Sequence, residues 1–210
     1  VERIEEELAK LLSAPAPAAY LDEKILGVVL PELSPEALAA AKPVVDACPA
    51  GEQALPVRLA ALLLSLGEDG TRRTLRRLRC SNACIEETAV LVREAVSGVP
   101  VSLNIYARRL LGKYNLCTVQ RLAALGTALQ PERSADFAAL SELAEQLDAD
   151  GVCCRVSQLA VNGRDLMAAG VPAGPGIRKV LEALLDGVIR EEYPNERQAL
   201  LIAVQQLAAS

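Results

Sequence analysis

The sequence predicts an all-α protein, an elongated multi-helix arrangement of two or three small helical subdomains. Three observations lead there. Apolar residues recur at three- and four-residue spacing along most of the chain, the period of an amphipathic helix. Convincing two-residue alternation is missing, and only "CRVSQLAV" (154–161) is short enough to be ambiguous. The composition is 51% apolar but only 2% aromatic, with no Trp. A core of Leu and Val against Ala favours close helix–helix contact and is large enough to oppose disorder.

The elements follow in order. "ERIEEELAKLL" (2–12) places Ile4, Leu8, Leu11 and Leu12 on one face, with Glu6 and Lys10 as a favourable pair four apart. "SAPAPAA" breaks that helix. "DEKILGVVLPEL" is a short helix ending at Pro31. "SPEALAAAKPVVDA" carries a helix start, with Ser34 as N-cap and Pro35 in the first helical position. "PVRLAALLLSLG" is apolar nearly all round, hence a buried helix, closed by Gly67. "TRRTLRRLRCSNACIEETAVLVREAV" gives two helices joined near Ser81-Asn82. "VSLNIYARRLLGKYN" turns Leu103, Ala107, Leu110 and Leu111 inward. "TVQRLAALGTAL" and "ERSADFAALSELAEQLDA" form an antiparallel pair. Residues 153–168 give one short helix, Pro175–Val188 a longer one, and Glu196–Ala208 the last. Soft breaks near 34 and at "QLDADG" divide the chain into 1–34, 35–147 and 148–210.

Charge is unevenly distributed. The net charge is −5, which argues against a general nucleic-acid binder. Residues 71–121, however, hold ten Lys/Arg against three Asp/Glu, whereas residues 1–70 hold five against twelve. A basic block inside an acidic protein points to an anionic partner. Six cysteines, none in a C-x-x-C, with no His at all, do not make a zinc site. They are expected to be reduced core residues of a cytoplasmic protein. No apolar stretch reaches the ~18 residues of a membrane span, and no secretory leader is evident. The chain begins with Val1, which suggests a fragment.

Two stretches carry candidate binding chemistry. "TRRTLRRLR" holds Arg72, Arg73, Arg76, Arg77 and Arg79, with Leu75 and Leu78 facing the core. Guanidinium forks match phosphate oxygens, and a row of them at helical spacing follows a nucleic-acid backbone. Arg108, Arg109 and Lys113 extend the basic block. The plainer alternative is a solvated helix face paired with Glu86 or Glu87. The second stretch is "LAVNGRDLMAAGVPAGPGIRKVLEALL" (159–185). Gly174, Pro175 and Gly176 open a helix whose first turn carries Arg178 and Lys179, with Arg164 just upstream. A helix start with unpaired N–H groups and added cations suits phosphate. The alternative is an ordinary helix–helix turn. Catalytic signals are missing: there is no His base, no P-loop and no Gly-x-Ser-x-Gly, and the one Asp-x-Asp, Asp148 and Asp150, lies in a linker-like turn.

Two family resemblances bear on this. "RLAALLLSLG" (58–67) looks like the HD phosphohydrolase helix, but Leu64 and Ser65 stand where its His-Asp metal ligands belong. Residues 155–204 resemble the C-terminal domain of bacterial CCA-adding tRNA nucleotidyltransferases, the superfamily shared with bacterial poly(A) polymerases. The matching residues are Val161, Asn162, Gly163, Asp165, Leu166, Gly170, Val171, Gly174, Pro175, Ile177, Leu181, Leu184, Asn195, Glu196, Leu200 and Leu201. Ala173 and Arg178 depart from the family's Pro and Gly. "ERIEEELAKLL", "LPEL" (30–33) and "LRRLRCSN" (75–82) resemble the family's neck and body phrases, in the same order.

The resemblance implies a neck end, a body and a tail without the catalytic head. In the family, body and tail grip the acceptor stem and T-arm elbow of tRNA. The head adds CCA from CTP and ATP with Mg2+, so no cofactor is expected in these residues. Two classes of function remain: a non-catalytic tRNA-holding fragment, or a helical protein-interaction module of the same descent with no RNA role.

Overall fold

The computed structural model describes residues 2–95 and 102–208. All regular structure among them is helical: α1 (Glu2–Ser13), α2 (Glu23–Val29), α3 (Pro35–Ala47), α4 (Leu55–Leu63), α5 (Gly67–Arg77), α6 (Asn82–Ala95), α7 (Leu103–Lys113), α8 (Leu116–Leu129), α9 (Ser134–Ala149), α10 (Gly163–Ala168), α11 (Pro175–Ile189) and α12 (Arg197–Ala208), with short 3-10 turns between some of them. The ambiguous stretch 154–161 contains a 3-10 turn and no strand. The chain forms two compact units, Val1–Val99 with Cys117–Ser141, and Pro100–Leu116 with Glu142–Ser210.

In the first unit α4 is the central helix, packed against α1, α3 and α6. Every residue from Pro56 to Leu63 is buried, as an all-round apolar helix requires. The exception in kind is Arg58, fully buried at 0% exposure. Its guanidinium donates to the carbonyls of Leu12 (2.5 Å) and Ala14, at the end of α1, and of Cys48 (3.1 Å), the cap of α3. Helix C-termini leave carbonyls without intrahelical partners, so one side chain closes two helix ends.

Helix starts follow local chemistry. Ser34 accepts from the N–H of Ala37, as the sequence predicts, and Asp22 accepts from Lys24 and Ile25 to start α2. A 3-10 turn, Leu64–Leu66, closes at Gly67 with φ 64°, again as expected. The next helix begins at Gly67 itself, earlier than its Thr71 start in the sequence reading, which puts Glu68 and Asp69 in its favourable first turn.

Two of the helix ends share one device. After α5 the N–H of Cys80 donates to Leu75 O (3.0 Å) and that of Arg79 to Arg76 O (3.0 Å). This is a Schellman stop, with Arg79 at φ 63° in the place glycine usually takes. The next helix starts at once, with Ser81 Oγ accepting from the N–H of Cys84 (3.2 Å). The phrase "LRRLRCSN" is therefore a stop followed by a start. The same bonding ends α11, with Glu191 in the left-handed position at φ 62°.

The second unit is built on Cys153, Val161, Leu166, Leu184, Val188, Leu200, Ala203 and Val204. Asn195 joins its segments: its side chain accepts from Ala160 N–H (2.8 Å) and donates to Gln158 O (2.9 Å). Arg155 donates to Leu111 O (3.1 and 3.0 Å) and Tyr114 O (3.1 Å), closing the end of α7.

Three expectations are corrected. Ile4 does not join the buried stripe of α1 but is 41% exposed, while Leu8 and Leu12 are buried. Residues 153–168 are not one helix. Asn162 is extended (φ −131°) and forms a reciprocal capping box with Asp165, which starts α10 separately from the 3-10 turn Val156–Gln158. Of the cysteines, all free, Cys48, Cys153 and Cys154 are core, Cys80 and Cys84 are part-exposed, and Cys117 is exposed.

Candidate nucleic-acid interface

The arginine helix α5 turns Thr71, Thr74, Leu75 and Leu78 inward, at the i, i+3, i+4, i+7 spacing of one helix face. Arg72, Arg73, Arg76 and Arg77 are thereby left on the other faces. Two of the four are engaged by the chain's own carboxylates. Arg72 pairs with Glu68 (3.0 Å) and with Glu86. Arg77 grips both oxygens of Glu32 (2.7 and 2.8 Å) and donates to Val29 O (2.9 Å) at the end of α2. The hydrogen bond from Arg77 holds the Glu32 carboxyl below the ordinary carboxylate range, and the bond from Arg72 does the same for Glu86. Arg73 and Arg76 are exposed and make no ion pair or side-chain hydrogen bond among the described residues. Arg79 is exposed at the left-handed stop.

In α7, Arg108 donates to Glu191 (2.5 Å) and Val188 O (3.3 Å), and Arg109 pairs with Asp186 (2.7 Å). Both close onto the end of α11. Lys113 is exposed and makes no ion pair among the described residues.

The glycine–proline junction has two parts. Gly163, starting α10, lies against Ile177 in the first turn of α11: a Cβ there would sit 3.3 Å from the Ile177 methyl. The first turns of α10 and α11 are thus neighbours. Gly174 caps α11 at φ 141°, a conformation that selects glycine. Space above Gly174 and Gly176 is open to 4 Å. Arg178 reaches Glu182 (2.8 Å) at 86% exposure, a weak surface pair. Arg164 and Lys179 are exposed and make no ion pair among the described residues. Asn162 and Asp165, which carry much of the tail resemblance, build the capping box, and Asp165 also pairs with Arg197 (2.7 Å).

Of the internal acid partners, the sequence reading names Glu86, as part of the plainer alternative, and it does pair with Arg72; Glu68, four residues before Arg72, lies within reach of the same reasoning. Glu32, Asp186 and Glu191 stand 45, 77 and 83 residues from their arginines, and no local pattern signals them. No group of three or more Cys, Asp or Glu side chains among the described residues is placed to hold a metal. No helix among them is long and apolar enough to cross a membrane.

Residues 57–204 match the family model of tRNA nucleotidyltransferase domain 2. The chain belongs to this family. The matched segment spans the arginine helix and the glycine–proline junction alike. The CC-adding tRNA nucleotidyltransferase of Shouchella clausii (strain KSM-K16) is 40% identical over 60 residues, covering 29% of this chain and 16% of that protein's length. No solved structure matches the chain significantly. As a tRNA nucleotidyltransferase domain of all-α fold, the chain agrees with the resemblance drawn from its motifs.

Proposed function

We propose that this chain is a non-catalytic tRNA-binding part of a CCA-adding tRNA nucleotidyltransferase, which holds the acceptor-stem and T-arm backbone. The observation that supports this reading is the outward pair Arg73 and Arg76, which make no ion pair within 4 Å among the described residues, within a tRNA nucleotidyltransferase domain. Duplex RNA is recognised mostly through shape and phosphate contact, which needs guanidinium groups and helix ends and few aromatics. The cations at the start of α11 supply a second contact of the same kind. In this reading CTP, ATP and Mg2+ belong to a catalytic head outside these residues, and the chain works in the cytoplasm. A second reading, an interaction module without RNA, draws support from the internal pairing of Arg72, Arg77, Arg108 and Arg109.

Binding of a CCA-less tRNA across a salt series separates the two, with an unrelated RNA hairpin as competitor. The tRNA reading expects tighter tRNA binding with a steep negative salt slope. Arg73→Ala with Arg76→Ala is expected to reduce that slope by about 2, roughly one ion per phosphate contact removed. Arg109→Ala, which breaks an internal pair, is expected to leave it unchanged. Failure to prefer tRNA at low salt overturns the tRNA reading.

A further inference from the structure

Arg72 divides its guanidinium between two acids that differ in exposure. Nη2 donates to Glu68 Oε1 (3.0 Å), one turn earlier on α5. Nη1 meets Glu86 Oε1 on α6, the helix packed against α5. The Glu68 side chain is 28% exposed, and its Oε1 also accepts from Arg93 Nη1 on α6 (3.0 Å). One part-buried carboxylate is therefore shared by two arginines across the helix pair. The Glu86 side chain is 59% exposed, and Arg72 is its one ion-pair partner among the described residues. One nitrogen of the Arg72 fork is thus anchored, while the other is covered by an acid that stands largely in water.

We propose that Arg72 is a phosphate-binding residue of the α5 face, and that the Glu86 carboxylate occupies its outer nitrogen in place of an RNA backbone phosphate until RNA displaces it. This role rests on the tRNA reading above for the source of the phosphate. It turns the internal pairing of Arg72 from an argument against RNA into a stand-in for it. Carboxylate and phosphate oxygens accept from a guanidinium in the same planar geometry, so one replaces the other at the same nitrogen. The exchange costs the protein little, because an exposed ion pair in water is weak and the freed Glu86 carboxylate is already mostly solvated.

A backbone phosphate also brings what a lone carboxylate cannot. Its neighbours along the strand reach Arg73 and Arg76 at the same time, and Arg76 stands one turn from Arg72, ~5–6 Å apart at their Cβ atoms. Glu68 does the opposite work to Glu86. Its bonds from Arg72 and Arg93 hold Arg72 across the helix pair when Glu86 leaves, so the binding geometry exists before RNA arrives and less side-chain freedom is lost. Glu68 is therefore a positioning residue. Arg77 offers no such opening, since it grips both oxygens of Glu32 and donates to Val29 O besides. A phosphate replacing Glu32 has two bonds to break, against one at Glu86.

A double-mutant cycle on the full chain tests the exchange, with CCA-less tRNA and an unrelated RNA hairpin each titrated at low salt. Glu86→Gln keeps the side chain's size and removes its charge. It is expected to tighten binding of both RNAs by roughly two- to fivefold, the strength of an exposed ion pair, because Arg72 no longer has to change partners. Made together with Arg72→Ala, the same change is expected to lose most of that gain, since no fork is left to free. An equal gain with and without Arg72 marks general charge repulsion and overturns the proposal, as does no gain at all; either result leaves the tRNA reading standing where tRNA is still preferred to the hairpin. A gain that needs Arg72 but shows no preference for tRNA supports the exchange and overturns the tRNA reading alone. Binding of neither RNA by the parent or by Glu86→Gln overturns both.

Discussion

Replacing Arg58 by Met tests the largest fully buried polar side chain among the described residues. Met keeps much of the side chain's length and apolar character but removes every donor. The carbonyls of Leu12, Ala14 and Cys48 then lose their guanidinium partner inside the first unit. A buried acceptor left unsatisfied costs about 1–3 kcal/mol. Three of them cost roughly 3–9 kcal/mol by the same rule. The upper part of that range is offset because the variant no longer buries a charge, whose desolvation is several kcal/mol. A loss of about 3 kcal/mol is expected, against the 5–15 kcal/mol of a typical domain. With a urea slope near 2 kcal/mol/M, the midpoint falls by about 1.5 M. Urea unfolding of the whole chain, followed by circular dichroism at 222 nm, measures it. Arg58→Lys is expected to fall between, since one ammonium cannot reach all three acceptors in the guanidinium's fork geometry. A methionine variant as stable as the parent would refute the claim that this arginine secures the ends of α1 and α3.

Three further outcomes follow from particular contacts. An added methyl at Gly126 would lie 2.2–2.6 Å from ring atoms of Phe137, so Gly126→Ala is expected to destabilise by about 1 kcal/mol net of its helix-propensity gain, with Phe137→Leu restoring the loss. Gly27, inside α2 with nothing within 4 Å of a Cβ, is expected to gain up to ~1 kcal/mol as Ala; thermal denaturation reads both. Arginine hydrogen bonds hold Glu32, Glu86 and Asp186 below their ordinary values of 4.5, 4.5 and 3.8. Their contribution is therefore complete above those values and is lost as pH falls through the lower folded ones, so unfolding free energy should decline below about pH 4.5, less steeply in Glu32→Gln.

Much of this was legible in the sequence because it is local. The Ser34 cap, the buried α4, the stop and start at Ser81-Asn82, and the inward Leu75 and Leu78 all depend on neighbours within a few residues. The single helix expected over 153–168 failed for an equally local reason, since Asn162 and Asp165 make a capping box that outweighs apolar spacing. The candidate interface was legible only in part. The sequence shows where the arginines are, but not which acids meet them. Glu32, Asp186 and Glu191 reach Arg77, Arg109 and Arg108 from far along the chain. Arg58 escaped notice because an isolated Arg in an apolar run gives no sign of the backbone ends it will meet.

The placement of arginine on helix-end carbonyls has a practical consequence for ionic strength. Arg58, Arg77, Arg108 and Arg155 all donate to main-chain oxygens near helix termini, and Arg58 and Arg155 do so with no ion pair among the described residues. Dissolved salt screens interactions between exposed charges, and buried contacts much less. The two uses of arginine in this chain therefore respond to different solvents. If Arg73 and Arg76 hold a polyanion as proposed, moderate salt is expected to release it while the buried clamps hold, so the molecule could be stripped and reloaded without unfolding. Guanidinium chloride brings a competitor with the clamps' own chemistry, and the helix ends should loosen in it sooner than in urea of matched strength.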